Sequence, residues 1–299
     1  MKKIKLLLCL FMLTTLCGCS NSNKNESSKT LNAAMFWIST SLDPTNNYDG
    51  WVLSRIGVGE TLLKLNEKYE VEPSLAKSYE QIDDTTWKLT LKDSITFSNG
   101  KKVTGENVKA CLERAFEKNT RAIDYFDLNH VEADKQDVYL YLNKSSGAIL
   151  NNLCEPLFTI YDASQSEEDI ANHPLCTGPF VVDDFVSEKT IDTSKNKKYY
   201  DGKAKLDHVH FSQVADSDAR VLALQSGEVD LANTIDYSSL KLFRNNKDYQ
   251  VLEVLGPRTN VIYMNNETTF LSDLTIRKAL SYSVDRKSIV KLIGGKEAT

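Results

Sequence analysis

The stretch from Trp87 to Phe116, W-K-L-T-L-K-D-S-I-T-F-S-N-G-K-K-V-T-G-E-N-V-K-A-C-L-E-R-A-F, constrains this chain more than any other. Its front half alternates: Trp87, Leu89 and Leu91 point one way, and Lys88, Thr90 and Lys92 the other. That is the pattern of a strand with one face in a core and one in water. Ser98-Asn99-Gly100 breaks it, because Asn-Gly supplies the positive φ of a tight turn. Thr104 is placed to cap a helix, and Val108, Cys111, Leu112, Ala115 and Phe116 follow at helical spacing as one apolar stripe. Glu106 near the start of that helix and Arg114 and Lys118 near its end suit the helix dipole. Strand, turn and helix agree with one another and predict an α/β chain.

The N-terminal residues read as a leader rather than as fold. Lys2, Lys3 and Lys5 precede an apolar run, Leu6 to Leu16, that is too short for a bilayer, which needs about 20 residues. Leu16-Cys17-Gly18-Cys19 resembles a lipobox, which implies cleavage after residue 18 and lipidation of Cys19. Residues 19–30 then form a tether: Ser20 to Lys29 has no apolar side chain to bury against chain entropy. Of the 6 cysteines, Cys9 and Cys17 leave with the leader and Cys19 is the anchor. The remaining three, Cys111, Cys154 and Cys176, are neither a disulfide framework nor a zinc site by spacing. A Cys154–Cys176 pair stays open.

Composition is that of a globular protein, with 41% hydrophobic and 26% charged residues. The net charge of −5 becomes three more negative without the leader, which disfavours nucleic acid as a partner. No later segment is apolar enough for a membrane span.

The pattern W-x-L-x-L-K-x-x-I-x-F-S-N-G-K-x-V-T-G-E-N-V resembles the signature of the extracellular solute-binding proteins, family 5, which serve peptide and nickel ABC importers. Further stretches agree in the same order. They are Leu42-Asp43-Pro44, Glu60-Thr61-Leu62 on an expected helix, Pro73 to Tyr79, Thr177-Gly178-Pro179-Phe180, Asn196 to Lys203, and Gly227 to Leu231 after a helix capped by Asp216 or Ser217. Asp273 to Val284 and Asp285 to Ile293 complete the set as two capped helices.

The resemblance implies an α/β, type II periplasmic-binding-protein-like fold with two lobes. The first lobe would cover 31–257, and 258–299 would begin a second lobe that stops incomplete at Thr299. It also implies a binding protein without covalent chemistry or cofactor, lipid-anchored on the outer face of the cell membrane. Such a protein, expected as a monomer, would deliver peptides to an ABC permease; nickel or a metallophore chelate is the alternative cargo. A chain ending inside the second lobe is expected to bind too weakly to serve an importer by itself.

Four residues are candidates for the ligand site. Tyr48 and Trp51 lie in an aromatic loop after Asp43-Pro44, where nickel-type members present a ligand-facing loop. Arg121 and Tyr125 follow the central helix; Arg121 matches an arginine of nickel-type members, and Tyr125 approximates a tryptophan with one residue inserted. Aromatic walls and an arginine suit carboxylate recognition. The bland alternative packs Trp51 into the core and leaves Arg121 in water. Nickel-type members also carry arginine around the step at Pro156, where this chain has Glu155 and Thr159.

Other motifs carry less. Ser74-x-x-Lys77 is the nucleophile pattern of β-lactamases, but its K-T-G and S-D-N companions are missing, so a hydrolase is the weakest reading. A surface sensor or adhesion lipoprotein is a third. His208 and His210 share one strand face, expected in solvent, and want a third ligand to make a metal site. Gly57-x-Gly59 lacks a third glycine and sits on an expected helix, and Gly294-Gly295-Lys296 is followed by Glu297, so neither is a nucleotide motif. Met35 to Ile38, Asp137 to Leu142 and Tyr249 to Leu255 are expected strands, with Thr259 to Asn265 extended; Ala148 to Cys154 is an expected helix.

Overall fold

The computed structural model describes residues 28–254, 256 and 260–294. The leader, Cys19, most of the tether and Gly295 to Glu297 lie outside them.

Two sheets carry the chain. One is four-stranded and antiparallel, in the order β4 (Ala76–Gln81), β5 (Thr86–Leu91), β7 (Asp137–Leu142), β6 (Leu128–Asp134). The alternation of Trp87 to Leu91 falls on its second strand, and Leu89 and Leu91 are fully buried. Helix α2 (Gly105–Lys118) covers that face, burying Val108, Cys111, Leu112 and Ala115 against the sheet. Full burial of Val108 and Leu112 contributes about 1.5–3 kcal/mol each, and the smaller Cys111 and Ala115 contribute less. The cap works through Asn107, whose Oδ1 accepts from the Thr104 backbone N–H at 3.0 Å. The short helix α3 (Ala122–Tyr125) follows α2 directly.

The second sheet is mixed, in the order β11 (Leu231–Ala232), β1 (Thr30–Met35), β10 (His208–Gln213), β9 (Thr190–Lys195), β8 (Phe180–Val186). Strand β1 is parallel to both neighbours, and the remaining pairs are antiparallel. Helix α6 (Ser217–Ser226) links β10 to β11; Asp216 Oδ1 caps it by accepting from Ala219 N–H, and Gly227 ends it at φ 75°. A short hairpin, β2 (Leu63–Leu65) and β3 (Val71–Pro73), lies outside both sheets.

Three segments that the sequence singled out meet at one partly buried carboxylate. Glu60 accepts from Thr177 Oγ1 at 2.7 Å, Tyr200 Oη at 3.1 Å and Tyr199 Oη at 3.4 Å. Burial raises the Glu60 pKa, and these donors partly offset the rise.

Several expectations are corrected. The buried strand is Thr30–Met35, not Met35 to Ile38: the N–H groups of Phe36 and Ile38 donate to the side chains of Asn233 and Gln213 instead of to a ladder. The helix after the aromatic loop, α1, spans only Gly50–Arg55, because Gly57 turns away at φ 71°; Glu60 forms an isolated bridge with Ile160 rather than sitting on a helix. The helix near Cys154, α4, is Ile149–Asn152, and α5 (Glu167–Asn172) is the next. Of the strand expected at Tyr249 to Leu255, Leu255 lies outside the described residues and 249–254 form no strand, with Leu252 and Val254 exposed; a β-prone run needs a neighbouring ladder, and no described strand pairs with this one.

Helices α7 (Leu274–Ser283) and α8 (Arg286–Ile293) are capped by Asp273 and Asp285 as their sequences suggest. Cys111, Cys154 and Cys176 are free thiols, and burial raises the pKa of each. His208 and His210 sit on the solvent side of β10 and face Asp183 and Asp192. Lys77 pairs with Asp93 at 3.3 Å, and Ser74 is buried. Among the described residues, no helix is long and apolar enough to cross a membrane, and no three metal-binding side chains gather around a point.

Candidate functional site

The site is built from the turn that follows β1. Asp43 Oδ1 accepts from the N–H and hydroxyl of Thr45, closing a local turn. Arg114, from α2, grips the same carboxylate with two bonds, Nη1 to Oδ1 at 2.9 Å and Nη2 to Oδ2 at 2.7 Å. It also donates to Thr45 Oγ1, Tyr161 Oη and Glu167 Oε2. Burial would raise the Asp43 pKa, but the Arg114 and Thr45 bonds hold it below the usual value. Asn119 Nδ2 then donates to the carbonyls of Thr45 and Asn47. Asn47 adopts φ 45°, which asparagine tolerates, and the chain turns into α1 with Tyr48 on its rim.

Gly50 lets that helix sit on the next wall. A Cβ there would lie 2.3 Å from the Pro156 carbonyl oxygen, so no other residue fits. This close approach brings Trp51 to Glu155, and Trp51 Nε1 donates to Glu155 Oε1 at 2.9 Å. Arg121, just before α3, stacks on Tyr48 with its guanidinium carbon 3.7 Å from the ring centre. It donates through Nη1 to the Asn47 carbonyl at 2.8 Å and through Nη2 to Tyr125 Oη at 2.6 Å. Glu155 Oε1 lies 3.8 Å from Nη2. Burial, and then the Glu155 charge, push the Tyr125 pKa up to about 12, so its hydroxyl keeps its proton.

Tyr48, Trp51, Arg121 and Tyr125, which come from two separate stretches, therefore line one cleft of about 440 Å³. Trp51 and Tyr48 are 38% and 54% exposed, so neither is a core residue. Four further liners are not among the sequence candidates: Phe36, Trp37, Arg55 and Glu155. Arg55 stands over the rings of Phe36 and Trp51 at 5.5 Å from each. Reading Met35 to Ile38 as one buried strand hides Phe36 and Trp37, since a strand would commit them to a ladder. A larger hollow of about 1000 Å³ lies beside the edge strand β11 and residues 248–254, but its charged pair, Arg244 and Glu253, is closed at 2.6 Å. The smaller cleft gathers aromatic and charged side chains in one place.

Residues 70–299 match the model of the bacterial extracellular solute-binding proteins, family 5. The chain belongs to that family. The nickel-binding protein NikA of Staphylococcus aureus is 32% identical over 274 residues, covering 92% of this chain and 54% of the relative. The glutathione-binding protein GsiB of Escherichia coli O157:H7 is 28% identical over 247 residues, covering 80% and 48%. The crystal structure of S. aureus NikA in complex with Ni(L-His)2 superposes with a TM-score of 0.79 at 31% identity, covering 89% of this chain and 56% of that one. The fold is thus the α/β fold of type II periplasmic binding proteins, and the chain spans about half the length of the relatives it matches.

Proposed function

We propose that this chain is the ligand-binding portion of an exported ABC-importer subunit that captures a short peptide and delivers it to the permease. The carrying observation is the cleft: Arg121 is stacked on Tyr48 and tethered through Asn47 and Tyr125, with its nearest carboxylate, Glu155, held at 3.8 Å. Such a guanidinium can take a ligand carboxylate in two parallel bonds, each charge-assisted bond contributing about 1.5–3 kcal/mol. The aromatic walls supply apolar area with few rotors to freeze. Residues 31–257 form the first lobe in this reading and 258–299 begin the second; the lobes close over the ligand, and the permease recognises the closed state. The protein acts as a monomer, held to the outer face of the cell membrane by lipid on Cys19.

A nickel chelate is the second reading, favoured by the 32% identity to S. aureus NikA. Among the described residues the lining supplies one carboxylate and no imidazole or thiol, so a metal would arrive in its own small chelator. Calorimetry of the whole secreted protein against short peptides, glutathione and Ni(II) with L-histidine tests both readings. Micromolar binding of a peptide or glutathione is expected; binding of Ni(II)–histidine alone would move the cargo to nickel, and binding of none would remove the transport reading. Radiolabelled palmitate should enter the wild type and not Cys19→Ala.

A further inference from the structure

Among the described residues, Glu155 is the one acid lining the cleft. It is firmly placed. Its backbone N–H donates to the Asn152 carbonyl and its own carbonyl accepts from Phe158 N–H, fixing the start of the 3-10 turn Pro156–Phe158. Trp51 Nε1 then holds Oε1 at 2.9 Å. A carboxylate offers about four acceptor positions; this indole fills one and the neighbouring Tyr125 hydroxyl engages the same carboxylate, which leaves about half of them open. The nearest Arg121 nitrogen is 3.8 Å away, beyond hydrogen-bond length, because Arg121 turns its Nη donors to Asn47 and Tyr125. The Glu155 side chain is 13% exposed, so its charge is largely withdrawn from water without the two-pronged partner that Asp43 has in Arg114. Opposite charges paired at 3.8 Å without a hydrogen bond between them, set between aromatic walls, are complementary to a ligand that carries both signs.

We propose that Glu155 determines specificity: it receives a cationic group of the ligand, so that the cleft selects molecules presenting a free ammonium beside a carboxylate and turns away those with a second anion there. This rests on the reading of the cleft as the ligand site. A ligand whose amine is acylated or bound to a metal gains nothing from Glu155. A ligand that places another carboxylate there meets a like charge across a short distance in a partly dry cleft.

Glutathione and two derivatives test the proposal in the whole secreted protein. N-acetylglutathione has lost the ammonium charge, whereas N-methylglutathione keeps it with added bulk. By calorimetry the wild type should bind glutathione and the N-methyl form at least tenfold more tightly than the N-acetyl form. Glu155→Gln retains an oxygen for the Trp51 indole, so it should fold normally; it should weaken the two charged-amine ligands by about tenfold and leave the N-acetyl form within about threefold of wild type. A preference preserved in Glu155→Gln would overturn the proposal, as would a wild type that does not discriminate. Binding of Ni(II)–histidine alone, unchanged by Glu155→Gln, would overturn it and leave the nickel reading standing. No binding of any probe by wild type would remove the ligand site itself.

Discussion

Two arginines face carboxylates on this molecule, and they are used in opposite ways. Arg114 and Asp43 meet in two bonds of 2.7 and 2.9 Å, with side chains 11% and 12% exposed. Arg121 and Glu155 stand 3.8 Å apart, and the guanidinium lies flat on Tyr48 at 25% exposure. The first pair consumes its own binding capacity to weld the turn after β1 onto α2. The second keeps donors and acceptors in hand. A carboxylate already gripped by a fork-shaped partner can do little else, whereas an arginine stacked on a ring and tethered by neutral oxygens is preorganised for an incoming anion.

Removing Arg114 should therefore have the largest effect on stability. Arg114→Ala leaves Asp43 buried without its countercharge and strips Thr45 and Tyr161 of a donor. Breaking one partner out of a buried pair costs about 3–5 kcal/mol. Thermal unfolding should show that loss, and the cleft should fail with it, because Tyr48 hangs on the same turn. A shift of less than about 1 kcal/mol would mean that Asn119 alone holds the turn, and the contrast between the two arginines would collapse.

Arg121→Ala should behave in the reverse manner. Its contacts are the rings of Tyr48 and Tyr125, a backbone carbonyl, a phenol hydroxyl and a loose ion pair with Glu155 at 3.8 Å, none of them a buried two-bond fork, so stability should change by less than about 1 kcal/mol. Affinity for glutathione, or for whichever carboxylate ligand the calorimetric panel identifies, should fall about tenfold or more, equivalent to about 1.4 kcal/mol. Unchanged affinity with unchanged stability would take Arg121 out of the site. A collapse in stability would place it in the same class as Arg114.

The difference between the two pairs is only partly legible in the sequence. Local periodicity locates β5, the turn at Gly100 and α2, since each depends on neighbours a few residues away. Family resemblance locates Tyr48, Trp51, Arg121 and Tyr125. Neither reveals that Arg114, which reads as a dipole partner at a helix end, reaches back to Asp43 on a separate turn. Long-range pairing leaves no spacing signal. Glu155 is visible only as a departure from the arginine of nickel-type members, and its contact with Trp51 depends on the fit of Gly50 against Pro156. The strand expected at Tyr249 to Leu255 is absent over the described residues 249–254 for the complementary reason: β-branched and aromatic composition favours a ladder, but a partner edge is what makes one.

The smallest expected effect concerns a third carboxylate on the same turn. Asp49 is 2% exposed and has no arginine; Asn46 Nδ2 donates to it at 2.6 Å. Burial, and to a lesser degree the Asp43 charge, raise its pKa from 3.8 to about 6. Asp43, a few residues earlier, moves the other way because Arg114 compensates its burial. The sign for Asp49 follows from proton counting. Between its unfolded value near 3.8 and about pH 6 the folded chain binds more protons at this site than the unfolded chain does. Its contribution to stability therefore falls as pH rises through that window, and above it stays at its least favourable. Asp49→Asn keeps the shape and an oxygen for Asn46 while removing the charge. At pH 7.5 it should stabilise the chain by about 1 kcal/mol, discounted for partial solvation, which is about 1.5–2 °C in melting temperature for a chain of this size. Near pH 4 the gap between wild type and variant should close, because Asp49 is then protonated in the folded state. Melting curves of the two proteins from pH 4 to 7.5 decide the matter: a gap that is constant over that range would show that Asp49 ionises normally and that Asn46 alone satisfies it.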